Sequence, residues 1–405
     1  MAGSILIVPP DNQTGNSAQT WPNTPGDSGC RRELIFPLQS PNLPYAHFSA
    51  LGCNHTLPGA ARLRRRTDRK TNPMNEATDS LDSQCRQGGE DIRRLLDHLE
   101  EVIRGKREVL QKVVACMLSG GHVLLEDMPG VGKTTLAKAL ARAIGGNADG
   151  PQDKQEAGCR YSRIQFTPDL LPYDVTGVEV WRPDTHNFEF HPGPIFCNLL
   201  LADEINRATP KVQSALLEVM AEQQVTISRQ THLLQGPFWV IATQNPIEMA
   251  GTYLLPKAQM DRFSLQLSIG YPDLEHELEV LREDPARRHL PGFGPALSVA
   301  DISGLKHLAG QIYCNPKLEE WAVRVARLTR DSPAIRLGVS TRGVLMWLSC
   351  AKAYALCCGR SYVIDQDLLL LAPAALCHRL ELRRQHEDVH NTMEQILGEA
   401  RQWLP

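Results

Sequence analysis

Glu126-Asp127-Met128-Pro129-Gly130-Val131-Gly132-Lys133-Thr134-Thr135 is the most informative run in this 405-residue chain. A short apolar stretch at 122–125 leads into it, and Leu136, Leu140 and Ile144 beyond it mark one face of a helix. Strand, glycine-bearing loop and helix in that order form the context a phosphate-binding loop requires. Gly130 and Gly132 let the segment from Pro129 through Val131 to Thr135 curl, so that successive backbone N–H groups point at phosphate oxygens, and the helix start adds its positive dipole end. Lys133 can then reach the β- and γ-phosphates of a nucleotide, and the Thr134 hydroxyl can ligate Mg²⁺. Asp127 departs from the strict pattern G-x-x-x-x-G-K-[ST], which has glycine there. A chance glycine-rich turn before a surface helix is the alternative, and the flanking elements argue against it.

Further short apolar runs at 164–166, 199–202 and 239–242 read as strands, with helical spacing between several of them. Alternating strands and helices predict an α/β fold, a mostly parallel sheet covered on both faces. Upstream, Ile92, Leu95, Leu96, Leu99, Val102 and Ile103 predict a helix ending near Gly105, and a second runs over about 107–117. Beyond Tyr271-Pro272 the spacing is helical throughout, over about 274–283, 299–312, 316–330, 340–358, 365–380 and 386–403. The expected division is therefore a disordered extension over 1–90, an α/β core over 91–272 and a helical domain over 273–405. The extension is rich in Pro, Gly, Asn, Ser and Thr and lacks apolar periodicity. Met74 offers an alternative start of translation at the entry to the globular part.

The run ending at Ala202 is followed by Asp203-Glu204, seventy residues after Lys133. Adjacent carboxylates at the end of a buried strand suit two tasks beside a phosphate loop: Asp203 holding the Mg²⁺ shell and Glu204 polarising the attacking water. Taken alone, the pair could be only a helix cap and a surface acid, a reading that the phosphate loop makes minor. The run at 239–243 ends in Gln244-Asn245-Pro246, where Asn245 is either a polar contact for the lytic water or γ-phosphate, or simply a turn residue. Arg262, in Gln259-Met260-Asp261-Arg262-Phe263, suits transition-state charge on phosphoryl oxygens; a salt bridge to Asp261 is its ordinary alternative.

Charge and cysteine usage narrow the class. The net charge is -3, and residues 1–73 hold 8 Lys and Arg against 4 Asp and Glu, leaving the remainder at -7. An acidic globular part disfavours nucleic acid and anionic membranes. No stretch approaches the roughly 20 apolar residues of a membrane span, so a cytoplasmic protein is expected. The eleven cysteines include no C-x-x-C pair, and Cys350, Cys357 and Cys358 sit on apolar helical spacing, so buried free thiols are expected.

Over about 96–382 these motifs resemble the MoxR family of AAA+ ATPases. The strings that carry the resemblance are Leu124-Leu125-Glu126-Asp127-Met128-Pro129-Gly130-Val131-Gly132-Lys133-Thr134, Gln165-Phe166-Thr167-Pro168-Asp169-Leu170-Leu171-Pro172, Pro192-Gly193-Pro194-Ile195-Phe196, Ala202-Asp203-Glu204-Ile205-Asn206-Arg207 and Ala242-Thr243-Gln244-Asn245-Pro246. The resemblance implies a P-loop NTPase core followed by a smaller all-α lid domain, with ATP and Mg²⁺ as cofactors. It implies that Ile103 and Gly105, in Val102-Ile103-Arg104-Gly105-Lys106, pack on adenine, with Lys106 where a glutamine is usual. It also implies that Arg342, in Gly338-Val339-Ser340-Thr341-Arg342-Gly343, is a second sensor reaching back to the γ-phosphate, and that Arg262 is an arginine finger acting on a neighbouring subunit of a ring, most simply a hexamer. Two hairpins, at 178–191 around Pro183-Asp184 and at 224–234, resemble inserts of the clade that also holds magnesium chelatase subunits and replicative helicases; by pattern alone they are equally edge decoration. Within 224–234 only Arg229 is cationic, too little for a nucleic-acid motor. The implied function is chaperone-like: ATP turnover driving maturation, metal insertion or assembly of a client, with a von Willebrand factor A-domain partner; a nucleic-acid-stimulated motor and a non-hydrolysing nucleotide switch that scaffolds partners are the alternatives.

Overall fold

The computed structural model describes residues 73–145, 158–228, 230–246, 252–384 and 388–404, with side chains from Ser80 onward. Residues 1–72, with their basic run, and Arg229 lie outside the described residues. Arg69–Pro405 form one unit. Its first helix, α1 (Pro73–Glu100), is followed by a tight turn and α2 (Arg107–Leu118).

The expected boundary at residue 90 falls inside α1, so the part of the extension from 73 onward is helical. Between Ser80 and Asp91 its buried residues are the small Cys85, Gly88 and Gly89, which hydropathy does not flag. Cys85 is buried, and a Cβ on Gly89 would stand 2.6 Å from the Gly359 Cα. Glycine is needed there because two backbones touch.

The sheet comprises β1 (Val123–Glu126), β2 (Tyr161–Gln165), β5 (Leu199–Asp203), β8 (Trp239–Gln244) and β9 (Leu265–Leu267). Their order is β2-β5-β8-β1-β9, and every neighbouring pair is parallel. Strand pleating sends Leu199, Leu201, Trp239 and Ile241 into a core under α1, α2 and α3 (Lys133–Ala143). Leu200, Ala202, Val240 and Ala242 enter a second core under α5 (Pro210–Glu222), which follows a short α4 (Pro172–Thr176) in the chain. Burial on both faces is why these strands read as continuous apolar runs rather than as alternation.

Both expected hairpins form: β3 (Gly177–Arg182) with β4 (Asn187–Pro192), and β6 (Gln224–Ile227) with β7 (Gln230–Leu233). Phe190 stacks on His232 at 4.0 Å, joining the two.

After α6 (Lys257–Met260) and β9, the helical region holds α7 (Leu274–Glu283), α8 (Pro285–Arg288), α9 (Val299–Gln311), α10 (Pro316–Asp331), α11 (Thr341–Cys357), α12 (Asp365–Leu376) and α13 (Val389–Ala400). Ser340 caps α11, its hydroxyl accepting the Gly343 N–H at 2.9 Å. The expectation of a purely helical region needs one correction: β10 (Ile335–Leu337) pairs antiparallel with β11 (Glu381–Leu382). Segments this short carry no alternation to read. Cys350 and Cys357 are buried and free, whereas Cys358 is exposed. No described helix is long and apolar enough to cross a membrane.

Candidate functional site

Three neighbouring strand ends, those of β5, β8 and β1, deliver the candidate residues to one place, outside the carboxyl edge of a parallel sheet where ligands bind in such folds. A cavity of about 310 Å³ is lined by Pro129, Gly130, Gly132, Lys133, Thr134 and Thr135 of the loop, and by Asp203, Glu204 and Asn245 from the strands. Gly130 and Gly132 have φ of +87° and +94°, in the left-handed region, and a Cβ on either would meet nothing within 4 Å. Backbone conformation, not crowding, therefore demands glycine, and the space beside the loop is open for an anion. Gly132 also starts α3.

Lys133 folds back on its own loop, donating to the Asp127 carbonyl at 2.6 Å and the Met128 carbonyl at 3.1 Å. Burial lowers its pKa, opposed by the charges of Asp127, Asp203 and Glu204. On β5, the Asp203 carboxylate accepts from the Thr243 hydroxyl at 2.6 Å and from Arg163 at 2.7 Å. Glu204 takes a left-handed backbone with φ of 57°, which turns its side chain off the strand axis. Its carboxylate accepts from Gln165 at 2.7 Å and Arg207 at 2.9 Å, while its N–H donates to Thr243 at 2.8 Å. The hydroxyl of Thr134 and the carboxylate of Asp203 are hard oxygen donors on one cavity, a set that suits Mg²⁺. Among the described residues no cluster of three or more His, Cys, Asp or Glu forms a separate metal site.

A second cavity, of about 320 Å³, adjoins the first across the loop and shares Gly130, Gly132 and Thr135 with it. Val102, Ile103, Val131, Ile269, Val280 and Leu281 give it apolar walls, and Lys106 and Glu277 reach its rim. A flat apolar ring fits such walls while a phosphate chain crosses the glycines. Gly105 does not line this cavity; its φ of +67°, with the His276 ring 2.7 Å from where a Cβ would stand, shapes the turn that presents Ile103. Lys106 donates to the Tyr271 carbonyl at 2.6 Å, tying the turn to the start of the helical region.

Neither Arg262 nor Arg342 lines either cavity. Both belong to the opposite, amino edge of the sheet. Ser264 donates to the His122 carbonyl at 2.8 Å just before β9 and β1 begin, which places the Arg262 turn there. The Ser340 hydroxyl donates to Asp261 at 2.9 Å and brings Arg342 to the same edge, where its charge is felt by His122. Arg342, expected to reach back to the γ-phosphate, therefore stands away from the loop cavity of its own chain, because α11 docks on α1, α2 and α9. Asp261 pairs with Arg379 at 2.7 Å, not with Arg262.

Sequence reasoning assigned no role to Thr243, Gln165, Arg163 or Arg207. Thr243 lay inside a string that carried the resemblance; the signal would have been its place beside Asp203 on adjacent strands, which needs the strand order.

Comparison with known proteins agrees with this architecture. The family model for the ATPase family associated with various cellular activities matches residues 122–265, and that for the AAA lid domain matches 327–399. An uncharacterized Bacillus subtilis protein, YeaC, is 44% identical over 297 residues, covering 72% of this chain and 89% of that one. Chaperone MoxR1 of Mycobacterium tuberculosis is 39% identical over 300 residues, covering 72% and 76%, and Protein MoxR of Paracoccus denitrificans is 28% identical, covering 75% and 92%. A crystal structure from Cytophaga hutchinsonii, described by inference as an ATPase, superposes with a TM-score of 0.70 at 33% identity, covering 81% of this chain and 98% of that one. The chain belongs to the MoxR family of AAA+ ATPases.

Proposed function

We propose that this chain binds ATP with Mg²⁺ and hydrolyses it, in a ring of its own copies, to remodel a client protein. The observation that carries the proposal is the single cavity holding Lys133, Thr134, Asp203, Glu204 and Asn245. Phosphates compensate the positive end of α3 and draw Lys133 from the carbonyls it now holds. Thr134 and Asp203 would hold Mg²⁺, which when bound would supply charge neutralisation for the transferring group. Glu204 takes the proton of the attacking water, and Asn245 orients that water. Arg262 and Arg342, projecting from the amino edge without a described partner, supply charge to a neighbouring subunit's site. The relative named Chaperone MoxR1 supports a chaperone-like use of this turnover. A von Willebrand factor A-domain partner, and a client that undergoes maturation, assembly or metal insertion, are the finer part of the proposal and rest on the family resemblance alone.

Phosphate release measured on purified protein tests the hydrolytic step. Glu204→Gln should lower turnover by about 10²–10⁴-fold, the usual contribution of a general base, while ATP still binds. Wild-type rates in the variant would sink the assignment.

A further inference from the structure

Asp127 stands where the phosphate-loop pattern has glycine, yet its backbone is not in the left-handed region. Glycine's freedom is therefore not what this position uses. The residue is 6% exposed and both of its carboxylate oxygens are engaged. One oxygen accepts from the Ser268 hydroxyl at 2.6 Å and the Gly270 N–H at 3.1 Å, and the other from the Ile269 N–H at 2.6 Å.

The register explains the placement. Leu125 pairs with Leu267, so β1 and β9 end side by side and residue 127 lies opposite residue 269. Where the ladder stops, the carboxylate takes over as acceptor for the next N–H groups. Those groups belong to Ile269 and Gly270, which with Tyr271 and Pro272 form one wall of the base-side cavity. The main chain of the same Asp127 accepts from Lys133. One residue thus touches the lysine that answers to phosphate and the wall that answers to the base.

We propose that the Asp127 carboxylate is a positioning group that locks the wall at 268–272 to the phosphate loop, so that the site distinguishes a whole nucleotide from bare polyphosphate. This rests on the reading of the two cavities as an ATP site. Charge-assisted bonds to a buried carboxylate are strong, and three donors lose their acceptor together if it is removed. The loop itself keeps Gly130, Gly132 and Lys133.

Calorimetric binding of ATP and of inorganic triphosphate, to wild type and to Asp127→Gly, tests the proposal. The glycine variant matches the motif better, and on motif grounds alone it should bind as well or better. The coupling role predicts instead that its ATP dissociation constant rises about tenfold or more, while that for triphosphate changes less than about twofold. Ser268→Ala, which removes one donor and leaves the carboxylate in place, should show the same selectivity at about threefold, and it guards against a glycine variant that fails to fold. Equal weakening of both ligands would mean a collapsed loop and would overturn the proposal, as would unchanged binding of both. Wild type that binds triphosphate but not ATP would defeat the nucleotide reading itself, a result distinct from either.

Discussion

The two edges of the sheet treat their charges in opposite ways. At the carboxyl edge each charged side chain has a partner within the chain: Lys133 with loop carbonyls, Asp203 with Arg163 and Thr243, Glu204 with Gln165 and Arg207. At the amino edge the paired charges face inward. Arg379, almost wholly buried, binds Asp261 and donates to the Phe263 carbonyl at 2.7 Å. Arg262 and Arg342 beside them have no hydrogen-bond or ion-pair partner among the described residues. The candidate phosphate site at one edge and two unpaired guanidinium groups at the other are what the proposed head-to-tail ring would use, each subunit offering one half to each neighbour.

The largest expected effect follows from that division. Lys133→Ala and Arg262→Ala should each abolish most ATP turnover, because an arginine finger is worth about 10³–10⁵ in rate. Mixed in one ring, the two variants should regain part of it, since some interfaces then pair an intact loop with an intact finger. Mixed rings, verified by mass, that stay inactive would break the comparison.

A subtler mixture sharpens it. If Arg262 and Arg342 both serve the neighbour, then Lys133→Ala mixed with Arg342→Ala should also recover. Arg262→Ala mixed with Arg342→Ala should not, because no subunit then presents both arginines. Should Arg342 act on its own subunit's site, the two outcomes exchange. Steady-state turnover of the two mixtures, compared with their unmixed parents, separates the cases.

How much of this was legible in the sequence depends on whether the neighbours concerned are local in the chain. The loop from Pro129 to Thr135 could be read because strand, turn and helix are contiguous, and Asp203-Glu204 because they end an apolar run. Both hairpins were visible as paired short runs around a turn. Thr243, Gln165 and Arg163 were not, because they meet the acid pair only through the order β2-β5-β8, which no local pattern encodes. The stretch of α1 before Asp91 was hidden because its buried residues from Ser80 onward are Cys85, Gly88 and Gly89. That Arg342 would line neither cavity was not legible, because lid docking is decided by the buried faces of α1, α2, α9 and α11, not by the motif around it.

The smallest effect concerns how the amino edge is held. His122 is buried there, its Nδ1 accepting from the Val240 N–H at 3.1 Å and its Nε2 facing the Met220 carbonyl at 3.2 Å. Protonation would put a hydrogen between Nδ1 and an N–H donor, and burial together with the charges of Lys306 and Arg342 already opposes it, lowering the pKa from 6.5 to about 4. In the unfolded chain the ring titrates normally, so above pH 6.5 neither state gains a proton and nothing is lost. As pH falls from 6.5 toward 4 the unfolded state binds a proton that the folded state refuses, and stability declines by roughly 3 kcal/mol across that window. His378, also buried at this edge and also held neutral, adds in the same direction. Gln can reproduce both hydrogen bonds of His122 without titrating. Thermal unfolding of wild type and His122→Gln from pH 7 to 4 should therefore show a shallower decline in the variant, and parallel curves would mean that His122 does not couple this edge to pH.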